Sequence, residues 1–412
     1  MNFLRENSMK RTTPILLIAV LACGGLMGKE RALDPNTFVV VGGGLSAGCS
    51  NLVLTDQSQQ AAYPVLMARQ MRTLMSLANF RDGGITRVVS FGSATPAAPK
   101  ANQSTLRGLP FPLFTLNPSV PFLKLSESLN LRPSMPIAID GDAKRTTVNL
   151  IVGYPALIFP GVTPWTQIEY AENMFPTFVV VELGSGDVLD AALQGDSSRI
   201  TSLSSFSTDY QTIVTRMSNT FASLLLMNVP DPTDTAYFST IQKVAGIYQL
   251  STQELISRFG LQPGDLITPG GLVEIGDTLS GRRREPLSAS SILRAQVAAA
   301  VQDAVRSYNS AIATIASAKR IPIYDLAAFY KELRAGTVQA GSAKIGGGYL
   351  EGFFSEDGIF PTAIGQALLA NRLLQFTNSS FGTQFPLLDI DKTVPQAAPE
   401  PTEDNNPIER LP

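Results

Sequence analysis

Phe38–Ser50 reads FVVVGGGLSAGCS, four apolar and mostly β-branched residues running into three glycines and then Leu45-Ser46-Ala47-Gly48. A short apolar run bounded by glycine is the pattern of a buried parallel strand that ends in a tight turn. Ligands gather beyond the carboxyl ends of strands in open parallel sheets, so this turn marks the expected functional face. Comparable runs recur at Thr147–Ala156 (TVNLIVGYPA), Phe178–Leu183 (FVVVEL), Phe221–Val229 (FASLLLMNV) and Ile321–Asp325 (IPIYD). Apolar residues at helical intervals lie between them, over Tyr63–Leu77, Thr163–Asn173, Thr208–Ser218, Val244–Phe259 and Ser291–Lys319. This alternation predicts an α/β fold, a three-layer α/β/α sandwich with a mainly parallel, flavodoxin-like sheet. Residues 92–146, rich in Pro, Ser and Gly, read as an irregular insertion, and 239–287 as a second one.

The 412 residues, 44% hydrophobic and 16% charged, suffice for one large core. A formal net charge of −2 provides no basic footprint for nucleic acid. Two cysteines exclude a disulfide framework. Histidine is absent, which removes the commonest general base and metal ligand. At the N-terminus, Lys10 and Arg11 precede an apolar stretch from Pro14 to Leu21, the pattern of a signal peptide covering residues 1–22. That stretch ends in Val20-Leu21-Ala22-Cys23-Gly24, which resembles a bacterial lipobox and implies acylation of Cys23, with ordinary cleavage nearby as the alternative. The expected location is the periplasm or outer membrane, or outside the cell. Residues 393–412 read as a disordered, Pro-rich acidic tail.

Gly42-Gly43-Gly44-Leu45-Ser46-Ala47 fits the dinucleotide fingerprint, in which glycines admit a pyrophosphate to a helix N-terminus. That reading also needs a second strand ending in Asp or Glu about 20 residues on. The chain continues CSNLVLTDQSQQ and carries no such strand.

The same stretch, with three later blocks, resembles the SGNH (GDSL) hydrolases. In Gly42-Gly43-Gly44-Leu45-Ser46, Gly44 stands where the family's nucleophilic serine would be. Gly153 is the nearest match to the second block's oxyanion glycine. Gly184-Ser185-Gly186-Asp187 corresponds to G-x-N-D, with Gly186 in place of the oxyanion asparagine. Phe353–Asn371, FFSEDGIFPTAIGQALLAN, follows the final block closely, with Asp357 at the orienting acid and Phe360 where the histidine base belongs. The resemblance covers about Thr37–Phe376 in separated blocks, and implies one hydrolase-like domain over residues 37–390 with the two insertions.

Ester hydrolysis by that family's route needs a hydroxyl, a base, an orienter for the base and oxyanion donors. Gly44, Gly186 and Phe360 have none of these groups. The expectation is an exported, SGNH-like pseudoenzyme that binds an apolar or acyl ligand, or a protein partner, without a cofactor or metal. The alternatives are an esterase using Ser46 and a dinucleotide-binding protein.

Overall fold

The computed structural model describes residues 32–80, 114–139, 141–153, 156, 161 and 163–393. The expectations for residues 1–22, Cys23, 92–113 and the tail beyond 393 lie outside them.

Four parallel strands form the central sheet in the order β1 (Phe38–Gly42), β2 (Phe178–Glu182), β3 (Ser223–Met227) and, after three short strands elsewhere, β7 (Ile323–Tyr324). Register runs Val40 to Val180 to Leu225 across the first three. Both faces are buried, which explains the continuous apolar runs. Val39, Val41, Val179, Val181, Leu224 and Leu226 point to one side, and Phe38, Val40, Phe178, Val180, Leu225 and Met227 to the other.

The chain follows β1 with a four-residue turn of helix, α1 (Gly44–Ala47), and then α2 (Asp56–Gln60) and α3 (Tyr63–Met71). Next come α4 (Leu125–Asn130), α5 (Ala143–Ile151) and α6 (Gln167–Glu172), then, after β2, α7 (Gly186–Gln194) and α8 (Leu203–Ser218), which together make the β2–β3 connection. Helices α4 to α8 and the 25-residue α12 (Ala295–Lys319) cover the first face. Helices α3, α13 (Leu326–Ala335) and α14 (Ala363–Phe381) cover the second. The result is the expected three-layer α/β/α arrangement.

Residues 239–293 form a small unit with its own core. Strands β4 (Ser239–Thr240), β5 (Leu266–Ile267) and β6 (Ile292–Leu293) pair antiparallel, and α9 (Ile241–Tyr248), α10 (Thr252–Phe259) and α11 (Pro269–Leu279) pack on them through Val244, Leu255 and Ile275. The single helix expected over 244–259 is therefore two, divided at Gln249, which turns in the left-handed conformation, and restarted at Ser251, which caps α10.

The described part of Thr147–Ala156 is helical up to Ile151 and not the expected strand. Asp142 accepts a hydrogen bond from the Arg145 amide and starts α5, whose residues 146–151 are all buried. A helix buried on all sides shows the same unbroken apolar run as a buried strand, and periodicity cannot separate the two. The edge beside β1 is taken instead by residues 116–120: Val40 N donates to Leu116 O and Val120 N donates to Gly42 O. In a flavodoxin-like order this edge belongs to the strand that follows β1. Helix α4 and the first turn of α5 also fall within the stretch 92–146 expected to be irregular. Thr362 caps the last helix, accepting from Gly365 N, and Pro361 just before it bridges to Phe354.

Candidate functional site

The carboxyl ends of β1, β2 and β3 border one cleft of about 50 Å³. Its lining includes Gly43, Gly44, Phe122, Glu182, Gly186 and Phe360. Three of the five positions singled out by the family resemblance, 44, 186 and 360, therefore meet at one place, although more than 300 residues separate the first from the last. Phe122 and Phe360 pack edge to face with ring centroids 5.5 Å apart.

The Phe360 ring occupies the space a side chain at 44 would need. A Cβ built on Gly44 would lie within 2.5 Å of the ring's Cε1 and Cζ atoms, well inside van der Waals contact. Gly186 is restricted differently, because its Cβ would stand 2.2 Å from the backbone carbonyl oxygen of Leu123. A side chain at 186 requires the main chain to move.

Asp357 does not line the cleft. Its Oδ1 accepts from the amides of Ile359 (2.7 Å) and Phe360 (2.9 Å), and its Oδ2 from the amide of Leu52 (2.9 Å). Burial raises its pKa, while those three amides and Ser355 pull it down. Ser355 accepts from Asn51 N, and Asn51 Oδ1 accepts from Glu356 N, so the final block is sewn to the loop after α1. The carboxylate acts as a clamp on backbone amides. Asp187, also buried, accepts from Leu125 N at 3.0 Å, and burial raises its pKa to about 6. The Gly153 amide donates to Val148 O at the end of α5, and Gly153 is not part of the cleft lining; as an oxyanion donor it has no support.

Ser46 lies beneath the glycine turn with no exposed surface. Its Oγ donates to Glu182 Oε2 at 2.8 Å and is 2.6 Å from the Tyr63 hydroxyl. Ser46 itself is not among the residues lining the cleft. Glu182 also accepts from the Gly43 amide at 2.9 Å and the Ser46 amide at 3.4 Å. Burial pushes its pKa up to about 7 against the pull of these hydrogen bonds. Two amides of the turn thus already face a carboxylate, and the turn continues into only four helical residues. This leaves the dinucleotide reading without an open anion site.

Glu182 is the residue that sequence reasoning missed. The signal was a lone carboxylate closing an otherwise apolar strand, FVVVE, and it passed as part of the run.

No family model matches the chain, and no curated protein matches it. Among solved structures it is similar to TesA, with 12% identity and a TM-score of 0.33 over 83% of this chain and 98% of that one. It is also similar to LAE5, described as an alpha/beta hydrolase enzyme from the metagenome of Lake Arreo, Spain, with 11% identity and a TM-score of 0.35 over 83% and 94%. At such scores the likeness carries no argument about this chain.

Two outcomes follow from the geometry. Gly44→Ala should cost about 1–3 kcal/mol by overpacking and Phe360→Ala about 3–5 kcal/mol by truncation, yet the double variant should cost less than their sum by at least ~1 kcal/mol. Urea unfolding of the four proteins measures this, and strict additivity would place Phe360 away from Gly44. The second concerns pH. Because the folded-state pKa of Glu182 lies above its unfolded value, its contribution is fully present below about pH 4.5 and is lost as pH rises through about 7, a change of about 3 kcal/mol. Melting of Glu182→Gln should accordingly fall less between pH 5 and pH 8 than melting of the parent; equal slopes would count against a buried, neutral carboxyl.

Proposed function

We propose that this chain is an SGNH-like protein that binds rather than hydrolyses, its cleft holding a short acyl or similarly small apolar group. The observation that supports this reading most directly is the Phe360 ring lying over Gly44, in the space where an attacking side chain would have to project. A nucleophile and its base act as a unit, and removing them takes away about 10⁶ in turnover. Phe122, Leu123, Leu189, Ile359 and Phe360 supply an apolar wall, a suitable surface for hydrocarbon. The cleft is small. Its roughly 50 Å³ corresponds to a few water molecules, which favours an acetyl-to-butyryl group over a long chain.

The sequence of residues 10–23 is the basis for further proposing that the protein is exported and held at a membrane by an acyl group on Cys23. Incorporation of labelled palmitate that disappears in Cys23→Ser tests that part separately.

Release of p-nitrophenol from acetate and butyrate esters should stay at the uncatalysed rate in both the parent and Ser46→Ala, while saturation-transfer NMR should detect butyrate binding to the parent. Phe360→Ala, which enlarges the cleft, should shift the preference toward hexanoate or octanoate. Enzymatic turnover in the parent that Ser46→Ala abolishes would establish the esterase alternative instead. No butyrate signal in either protein would remove the acyl ligand.

A further inference from the structure

The opposite end of the sheet, where the strands begin, has a different character. The chain enters β2, β3 and β7 through turns that close α6, α8 and α12, and each turn contains a non-glycine residue at positive φ: Phe175 at 50°, Phe221 at 62° and Arg320 at 55°. Arg72, which ends α3, is a fourth, at 56°. It belongs to the same end, because the neighbouring Thr73 donates its hydroxyl to Asn36 O just before β1.

This conformation suits glycine, and a bulky side chain adopts it at a cost. Glycine fills the corresponding position after α7 (Gly195) and α14 (Gly382). Nor does burial compensate the two aromatic rings, since Phe175 is 81% and Phe221 89% exposed, with Leu74 at 83% beside Thr73. Strained backbone that carries exposed aromatic groups is a reason to look for a use of those groups. Because β1, β2 and β3 are adjacent in the sheet, Leu74, Phe175 and Phe221 all belong to the same end of it, where these strands begin. The exposed cations Arg72, Lys319 and Arg320 belong to that end too. Of the acidic groups nearby, Glu172 is paired with Arg216, and Asp34 accepts from Asn36 N.

We propose that this end of the sheet is a membrane-contact surface, which seats Phe175, Phe221 and Leu74 in the interfacial layer of an anionic bilayer and sets Arg72, Lys319 and Arg320 against lipid phosphates. Aromatic rings favour that layer, and basic side chains gain from anionic headgroups. The occupant is argued from charge and from attachment. The chain enters β1 from this end of the sheet, and the cysteine proposed to be acylated, Cys23, stands fifteen positions before Phe38 in the sequence. The cleft, at the other ends of the strands, would then face away from the bilayer.

The test uses the full chain carrying Cys23→Ser, so that no acyl group contributes, with vesicles of phosphatidylethanolamine and phosphatidylglycerol. Hydrogen–deuterium exchange should slow in peptides containing Phe175 and Phe221, whose amides close turns onto Glu172 O and Ser218 O. The variant Phe175→Gly/Phe221→Gly should lose that protection and partition about 10-fold more weakly, the scale expected when two partly buried rings are removed. It should melt no lower than the parent, because glycine relieves both turns. Four results would overturn the proposal: no vesicle binding, binding with no slowing at these turns, unchanged partitioning of the double variant, or slowing that appears without vesicles as protein concentration rises, which would identify a second copy as the occupant.

Discussion

A carboxyl group held under a glycine turn organises the active-face end of this molecule. Glu182 closes β2 directly opposite Gly42, and its Oε2 gathers the Gly43 amide, the Ser46 amide and the Ser46 hydroxyl. An unpaired carboxylate at that depth would be costly, so the turn must bend over it and supply donors. At Gly42 the turn has no room for a side chain, since a Cβ there would lie 2.3 Å from Ser46 Oγ and 2.8 Å from Glu182 Oε2. Gly42 is therefore tied to a residue 140 positions away, whereas Gly44 makes room for the Phe360 ring. The first glycine reflects close approach to a buried acid, with Tyr63 and Ser46 extending the polar contact inward.

The same physics explains why an aspartate can remain in the final block with no base to orient. Asp357 accepts three backbone amides, two from its own loop and one from Leu52. Charge-assisted hydrogen bonds of this kind fix loop geometry whatever side chain stands at 360. Thr362 and Gly365 are equally structural: the threonine caps α14, and a Cβ on Gly365 would stand 2.5 Å from Phe353 O. A motif can persist because its residues build a loop, and matching it says more about backbone than about chemistry.

How much was legible in the sequence followed from how local each cause was. Strands β1, β2 and β3 and the long helix α12 announce themselves because burial of both strand faces or of one helix stripe leaves a periodic trace. The meeting of positions 44, 186 and 360 was implied by the resemblance of their motifs to the SGNH blocks. Three features were not. Helix α5 is buried along 146–151 and mimics a strand; the unit at 239–293 draws its core from many short elements, and the one helical period visible there merges α9 with α10; and Glu182 derives its importance from Gly43 and Ser46, which are remote in the chain. Pairing across long separations leaves no mark on a window of neighbouring residues.

The close fit between Gly186 and the Leu123 carbonyl sets the order in which this site can change. A ring such as Phe360 yields by rotating or by being replaced, one residue at a time. A peptide group yields only with its neighbours, here the segment leading into α4, whose first amide is bound by Asp187, the very next residue after Gly186. Any route to a functional side chain at 186 therefore passes first through a rebuilt 122–125 segment. The site is locked by main chain more firmly than by the aromatic residue that fills it.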